Sequence, residues 1–227
     1  MDDDRQQAFM TALVTEHFVL QGARGQTNSE MTGRAALYLA TVSSTLIALG
    51  FVARDRSAFV PFAAAVIPSL LILGEFTFIR LVAASIEDLQ YLYAIQQIRN
   101  YYRSLVPDGL TFFADIPIGN PRVATTHAMG MSQSPWNVVF TAGGMIAAIN
   151  SILAGIGIAL ILRDAGLVIA IAASCGAITA LVIYGLHLRW ALSRYAAGLA
   201  VPTGNAAALL NVAGMPATVS PASPAVT

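Results

Sequence analysis

Two polar side chains stand inside otherwise apolar runs, Glu75 and Asn150. A carboxylate in hydrocarbon is costly to keep charged, so Glu75 calls for a partner on another helix, a proton or cation path, or access to water. Asn150 is the natural interhelical hydrogen-bond partner to consider, because a lone asparagine at such depth is more often glue than filter. Arg80, Arg99 and Arg103 are the basic candidates beyond the apolar run. Arg80 is five residues from Glu75 and therefore on a different helix face, whereas Arg80 and Glu87 share a face two turns apart. Arg99 and Arg103 form a one-turn pair that could hold the phosphate of a nucleotide or a lipid headgroup. The competing reading is a solvated face, or ties to Asp88, Asp108 or Asp115.

Other reactive residue types lack the spacing their chemistry needs. His17, His127 and His187 lie far apart without metal-ligand spacing, so each reads as a packing or interface residue and no metal site is expected. Cys175, the single cysteine, lies in an apolar run and reads as a small packing residue. There is no phosphate-binding Gly-x-x-x-x-Gly-Lys loop, no nucleophile elbow and no His-Glu-x-x-His. The expectation is a non-enzyme without a cofactor.

The elements that must position these residues follow from composition. Of 227 residues 56% are hydrophobic and 11% charged, and the mean hydropathy of +0.68 lies far from that of a soluble domain. The lipid bilayer is the first expected partner. Formal charge is zero, which leaves nothing to favour nucleic acid. All twelve basic residues are arginine, as in high-GC bacterial genomes, so a bacterial inner membrane is the expected location.

The pattern predicts an all-α polytopic membrane protein, a four-helix transmembrane bundle with an amphipathic N-terminal helix and an extension of the second span. Residues 1–24 read as an amphipathic cytoplasmic helix with Met10, Leu13, Val14, His17 and Phe18 on one face, widened by Phe9 and Leu20. Its acidic start is unlike a secretory signal and reads as retained. Gly22, Gly25 and the polar run to Thr32 read as a linker. Spans are expected at 35–53, 58–82, 136–162 and 166–186. The second continues as a cytoplasmic helix over 83–106, because Pro68 and Pro107 bracket 38 residues with only one glycine, Gly74. Residues 107–134 read as an irregular cytoplasmic loop, and Ser134-Pro135 as the start of the third span. Residues 187–200 read as an interfacial helix end and 201–227 as a disordered tail.

Rows of small residues at intervals of four offer seams where helices can approach closely. They are Gly143, Ala147, Ser151, Gly155 and Ala159 in the third span, and Ala36, Ala40, Ser44 and Ala48 in the first. Such rows suit packing within one chain or between copies in a homo-oligomer. Nine arginines fall on the side of the termini and the long loop and three in the two short turns, which predicts both termini cytoplasmic.

The run Ile86-Glu87-Asp88-Leu89-Gln90-Tyr91-Leu92, then Ile95, Ile98-Arg99 and Tyr101-Tyr102, with Thr141-Ala142-Gly143-Gly144-Met145 and Asn150-Ser151, resembles small four-span membrane proteins of unassigned function from high-GC bacteria. In layout alone, the chain also resembles bacterial antiphage membrane effectors that respond to cyclic nucleotides. The leading functional expectation is a non-enzymatic scaffold whose cytoplasmic helices dock a partner protein. The alternatives are an oligomeric ion-conducting pore, with Glu75 and Asn150 facing the path, and a nucleotide-responsive membrane effector that takes a small phosphorylated ligand, with a membrane-embedded enzyme third.

Overall fold

The computed structural model describes residues 3–105 and 139–199. These residues form four helices: α1 (Asp3–Val52), α2 (Arg56–Ser104), α3 (Ala142–Asp164) and α4 (Ile169–Gly198). Each contains a stretch long and apolar enough to cross a membrane.

Helices α1 and α2 make one antiparallel hairpin, each roughly 75 Å long at 1.5 Å per residue. Asp55 sets the bend, its carboxylate accepting from the Ser57 backbone N–H at 2.9 Å and the Ser57 hydroxyl at 2.7 Å. From that bend one register runs the length of the pair. Tyr38 lies beside Gly74, Glu30 meets Arg80, Arg24 meets Asp88, and Phe9 stacks edge-on against Tyr101.

The expected linker after residue 24 is absent, and α1 runs unbroken through it. Gly22 and Gly25 weaken a helix by only about 1 kcal/mol each, and no proline interrupts the stretch. Contacts with α2 offset that weakness, since Thr27 is buried and Arg24 and Glu30 are ion-paired to α2. The expected N-terminal apolar face divides as well. Leu13 and Leu20 pack on Ile95 and Ile98 of α2, whereas Val14 and Phe18 point away.

Helix α3 begins at Ala142, not at 136: residues 139–141 are a turn, and the Thr141 hydroxyl caps the helix by accepting from Gly144 N–H at 3.0 Å. Ser134 and Pro135 lie outside the described residues, as do 107–134 and 201–227. After α3 the chain reverses at Gly166, whose φ of 92° is open to glycine at little cost. Arg56 bonds Asp164 at 2.8 Å, so the α1–α2 and α3–α4 turns sit at the same end. Helix α4 continues without a break through the expected boundary at 186.

Helix α1 packs on α2, α2 on α3 and α3 on α4, while α2 and α4 meet only locally and α1 and α4 make no continuous seam. The four helices therefore form an open array with α2 and α3 central, not a ring closed on itself. The α3–α4 crossing is the tightest. A Cβ on Gly155 would strike the Gly176 carbonyl, and one on Gly176 the Gly155 carbonyl.

Candidate functional site

Helix α2 brings Glu75 to the place where α3 and α4 both come within hydrogen-bonding reach. The His187 Nε2 is 2.9 Å from Glu75 Oε2, and the Asn150 amide donates to the same oxygen at 3.3 Å. Asn150 donates also to the Leu71 carbonyl at 3.3 Å, and its own oxygen accepts from the Tyr38 hydroxyl at 3.4 Å. Through these bonds α1, α2, α3 and α4 each contribute one polar side chain to a single centre.

The local sequence makes room for it. A Cβ at Gly74 would fall on the Asn150 amide oxygen, so the one glycine of that long stretch is what admits Asn150 and Tyr38. Ser151 donates to the Ala147 carbonyl at 2.7 Å and stands 3.3 Å from His187 Nδ1. Phe78 closes the other side of the imidazole, edge to face at 4.8 Å. Buried polar groups thus find partners, as an apolar surrounding demands.

Each ring nitrogen of His187 has an oxygen within hydrogen-bonding reach: Nδ1 lies 2.9 Å from the Ile183 carbonyl and Nε2 2.9 Å from the Glu75 carboxylate. His187 is 8% exposed, whereas the Glu75 side chain is 48% exposed at the surface of the array. A half-open carboxylate in a stretch this apolar is placed to meet a neighbouring molecule.

Depth follows from the helix rise. Glu75 is twenty residues from Asp55, roughly 30 Å along α2, so the centre lies far from the short turns and close to the polar half of the hairpin.

The basic candidates do not join this centre. Arg80 forks onto Glu30 at 2.9 and 3.1 Å and reaches Glu87 at 3.3 Å. Arg34 also holds Glu30, at 2.8 Å, and the two guanidiniums keep that carboxyl at about 2, below its ordinary 4.5. Arg99 is exposed and Arg103 half-buried on the last turns of α2. Asp88 pairs with neither of them; it takes both bonds of Arg24, at 2.9 and 3.2 Å, which makes it a tie between α1 and α2. Asp108 and Asp115 lie outside the described residues.

Of the small-residue rows, Gly143, Ala147, Ser151 and Gly155 are buried in α3 and Ala159 is half-buried. In the first span Ala36, Ala40 and Ser44 are exposed and Ala48 half-buried, while Ala35, Tyr38 and Val42 face the interior. One residue turns a helix by about 100°, and Tyr38, whose ring fills space that alanines cannot, sets the rotation. That row is therefore no seam inside this chain.

Sequence reasoning passed over His187 as Glu75's partner, and Tyr38 and Gly74 as parts of the centre. The signals were modest: a histidine directly after a long apolar run, and the one glycine beside the one acid inside an apolar run. It also passed over Gly176 and Ala180, four residues apart, which face the α3 row at Gly155 and Ala159. Among the described residues no group of three or more His, Cys, Asp or Glu could hold a metal ion. Comparison with family models, with curated proteins and with solved structures finds no match.

Proposed function

We propose that the chain is a multi-pass integral membrane protein, with both termini cytoplasmic, that serves as a non-enzymatic scaffold for a cytoplasmic protein partner. The arginine distribution, nine against three, supports that orientation. In this reading the polar centre ties the spans together, and the distal half of the α1–α2 hairpin stands in water as the docking surface. The observation that carries it is Phe18, 70% exposed beside Val14 and Val19, on a helix whose opposite side already packs on α2. Apolar side chains grouped on a water-facing helix mark an interaction surface.

The test is a photo-crosslinking amino acid placed at Phe18 in cells, with Val14 and Val19 as neighbouring positions. The scaffold reading expects one defined adduct, lost on Val14→Asp or Val19→Asp while the amount of protein in the membrane stays the same. Adducts only to lipid, or none at all, would discard it.

A second reading rests on the half-exposed Glu75. Several copies meeting along the outward row Ala36, Ala40 and Ser44 would form an ion-conducting pore with Glu75 and Asn150 on its path, and a small phosphorylated ligand at Arg99 and Arg103 could gate it. An ion leak in reconstituted vesicles that Glu75→Gln abolishes would put this reading ahead of the scaffold.

A further inference from the structure

Helices α2 and α4 touch at Glu75 and His187 and again where Phe78 meets Trp190, 5.4 Å between ring centroids. Towards the short turns they part, and α3 lies across the gap as its floor. The result is a cleft of about 770 Å³, within the roughly 300–1,000 Å³ range of small-molecule sites. Its walls are Ala64, Ile67 and Leu71 from α2, Gly157 and Ile158 from α3, and Ile183 from α4. A Cβ at Gly157 would meet Ile67 Cγ2 at 3.4 Å, an ordinary contact, so α2 and α3 lie close together along the floor.

Arg56, Arg163 and Asp164 stand at the mouth, on the turns. Asp164 is engaged by Arg56, and Arg163 donates to the Leu167 carbonyl at 3.0 Å, so among the described residues Arg163 has no carboxylate partner. The mouth is thus net positive and the interior apolar. From Arg56 to Leu71 the cleft runs roughly 22 Å, more than the half-thickness of a hydrocarbon core of roughly 30 Å. It ends at Leu71 and Ile183, one turn before Glu75 and His187.

We infer that this cleft binds one acyl chain of an anionic phospholipid, with the lipid phosphate at Arg56 and Arg163. Guanidinium groups recognise phosphate oxygens in forked geometry, and small and branched side chains accept a methylene chain without polar cost. A bound chain also wedges α2 from α4 immediately below the polar centre. The inference needs the spans to lie in a bilayer but does not depend on what the hairpin docks.

The experiment is native mass spectrometry of the full chain in mild detergent, titrated with palmitoyl-oleoyl phosphatidylglycerol or phosphatidylcholine. Phosphatidylglycerol is expected to bind roughly ten- to thirtyfold more tightly. Arg56→Gln combined with Arg163→Gln is expected to erase that preference, and Ala64→Phe to remove binding of both lipids. Ile158→Trp fills the cleft from α3 and gives the same reading if Ala64→Phe fails to fold. Equal affinity for the two lipids, or lipid retention unchanged by the filling variants, would overturn the inference. So would a dimer that Ala64→Phe dissociates, because a second copy would then occupy the cleft. No protein adduct at Phe18 with lipid selectivity intact would fail the scaffold and leave this site standing.

Discussion

Both the polar centre and the far half of the hairpin join helices through a carboxylate and a nitrogen base, but they choose different bases. In the hairpin the cation is arginine: Arg24 forks onto Asp88, and Arg80 with Arg34 onto Glu30. Arginine keeps its charge at any ordinary pH, and water and neighbouring charges are at hand to stabilise it. Among the apolar stretches that place is taken by His187, whose Nε2 stands 2.9 Å from Glu75. Burying a fixed guanidinium charge is expensive, and an imidazole, which need not carry a charge to hydrogen-bond, avoids that cost. The surroundings thus select which pairing can be placed in each half.

That comparison can be broken at its strongest point first. His187→Leu leaves Glu75 with Asn150 alone and is expected to destabilise the protein by about 1–3 kcal/mol, discounted from a fully buried pair because Glu75 is half open. Adding Glu75→Gln should recover part of the loss in an equilibrium unfolding cycle run in detergent. Simple additivity of the two substitutions would refute a coupled pair.

Asp88→Ala comes next. Asp88 is 7% exposed, and the change leaves Arg24 without its fork, at a cost of about 1–3 kcal/mol. Hydrogen exchange should rise around Leu20 and Ile95 while α3 and α4 keep their protection. Equal loosening of all four helices would mean that the two halves unfold as one unit.

The smallest effect is a pH dependence confined to the hairpin. Glu30 is held at about 2 when folded, against 4.5 without its partners, so its contribution is whole above pH 4.5 and fades as the pH falls towards 2. Hydrogen exchange near Glu30 and Arg80 should follow that window, and Glu30→Gln should flatten it. A transition completed above pH 5 would assign the effect to another group.

Much of this protein was legible along the chain. The run from Pro68 to Pro107 with one glycine announced a helix too long for a bilayer, and α2 is that helix. Glu75 and Asn150 stood out because each was polar in an apolar run, and they bond to each other. Gly22 and Gly25 misled because glycine in a polar stretch looks like a break. It was the ion pairs of Arg24 and Glu30, each some fifty or more residues distant in sequence, that kept α1 whole.

What the sequence determined by itself was helix, length and apolarity, since these depend on neighbours within a turn and on sums over about twenty residues. What only the tertiary structure decided was how far each helix is turned about its own axis. A step of one residue turns a helix by about 100°. That angle placed His187 on Glu75, hid Tyr38 while exposing Ala36 and Ala40, and left Phe18 facing outward. It also opened the cleft between α2 and α4. Rotation is set by side chains from different helices competing for the same space, and no stretch of one helix contains that information.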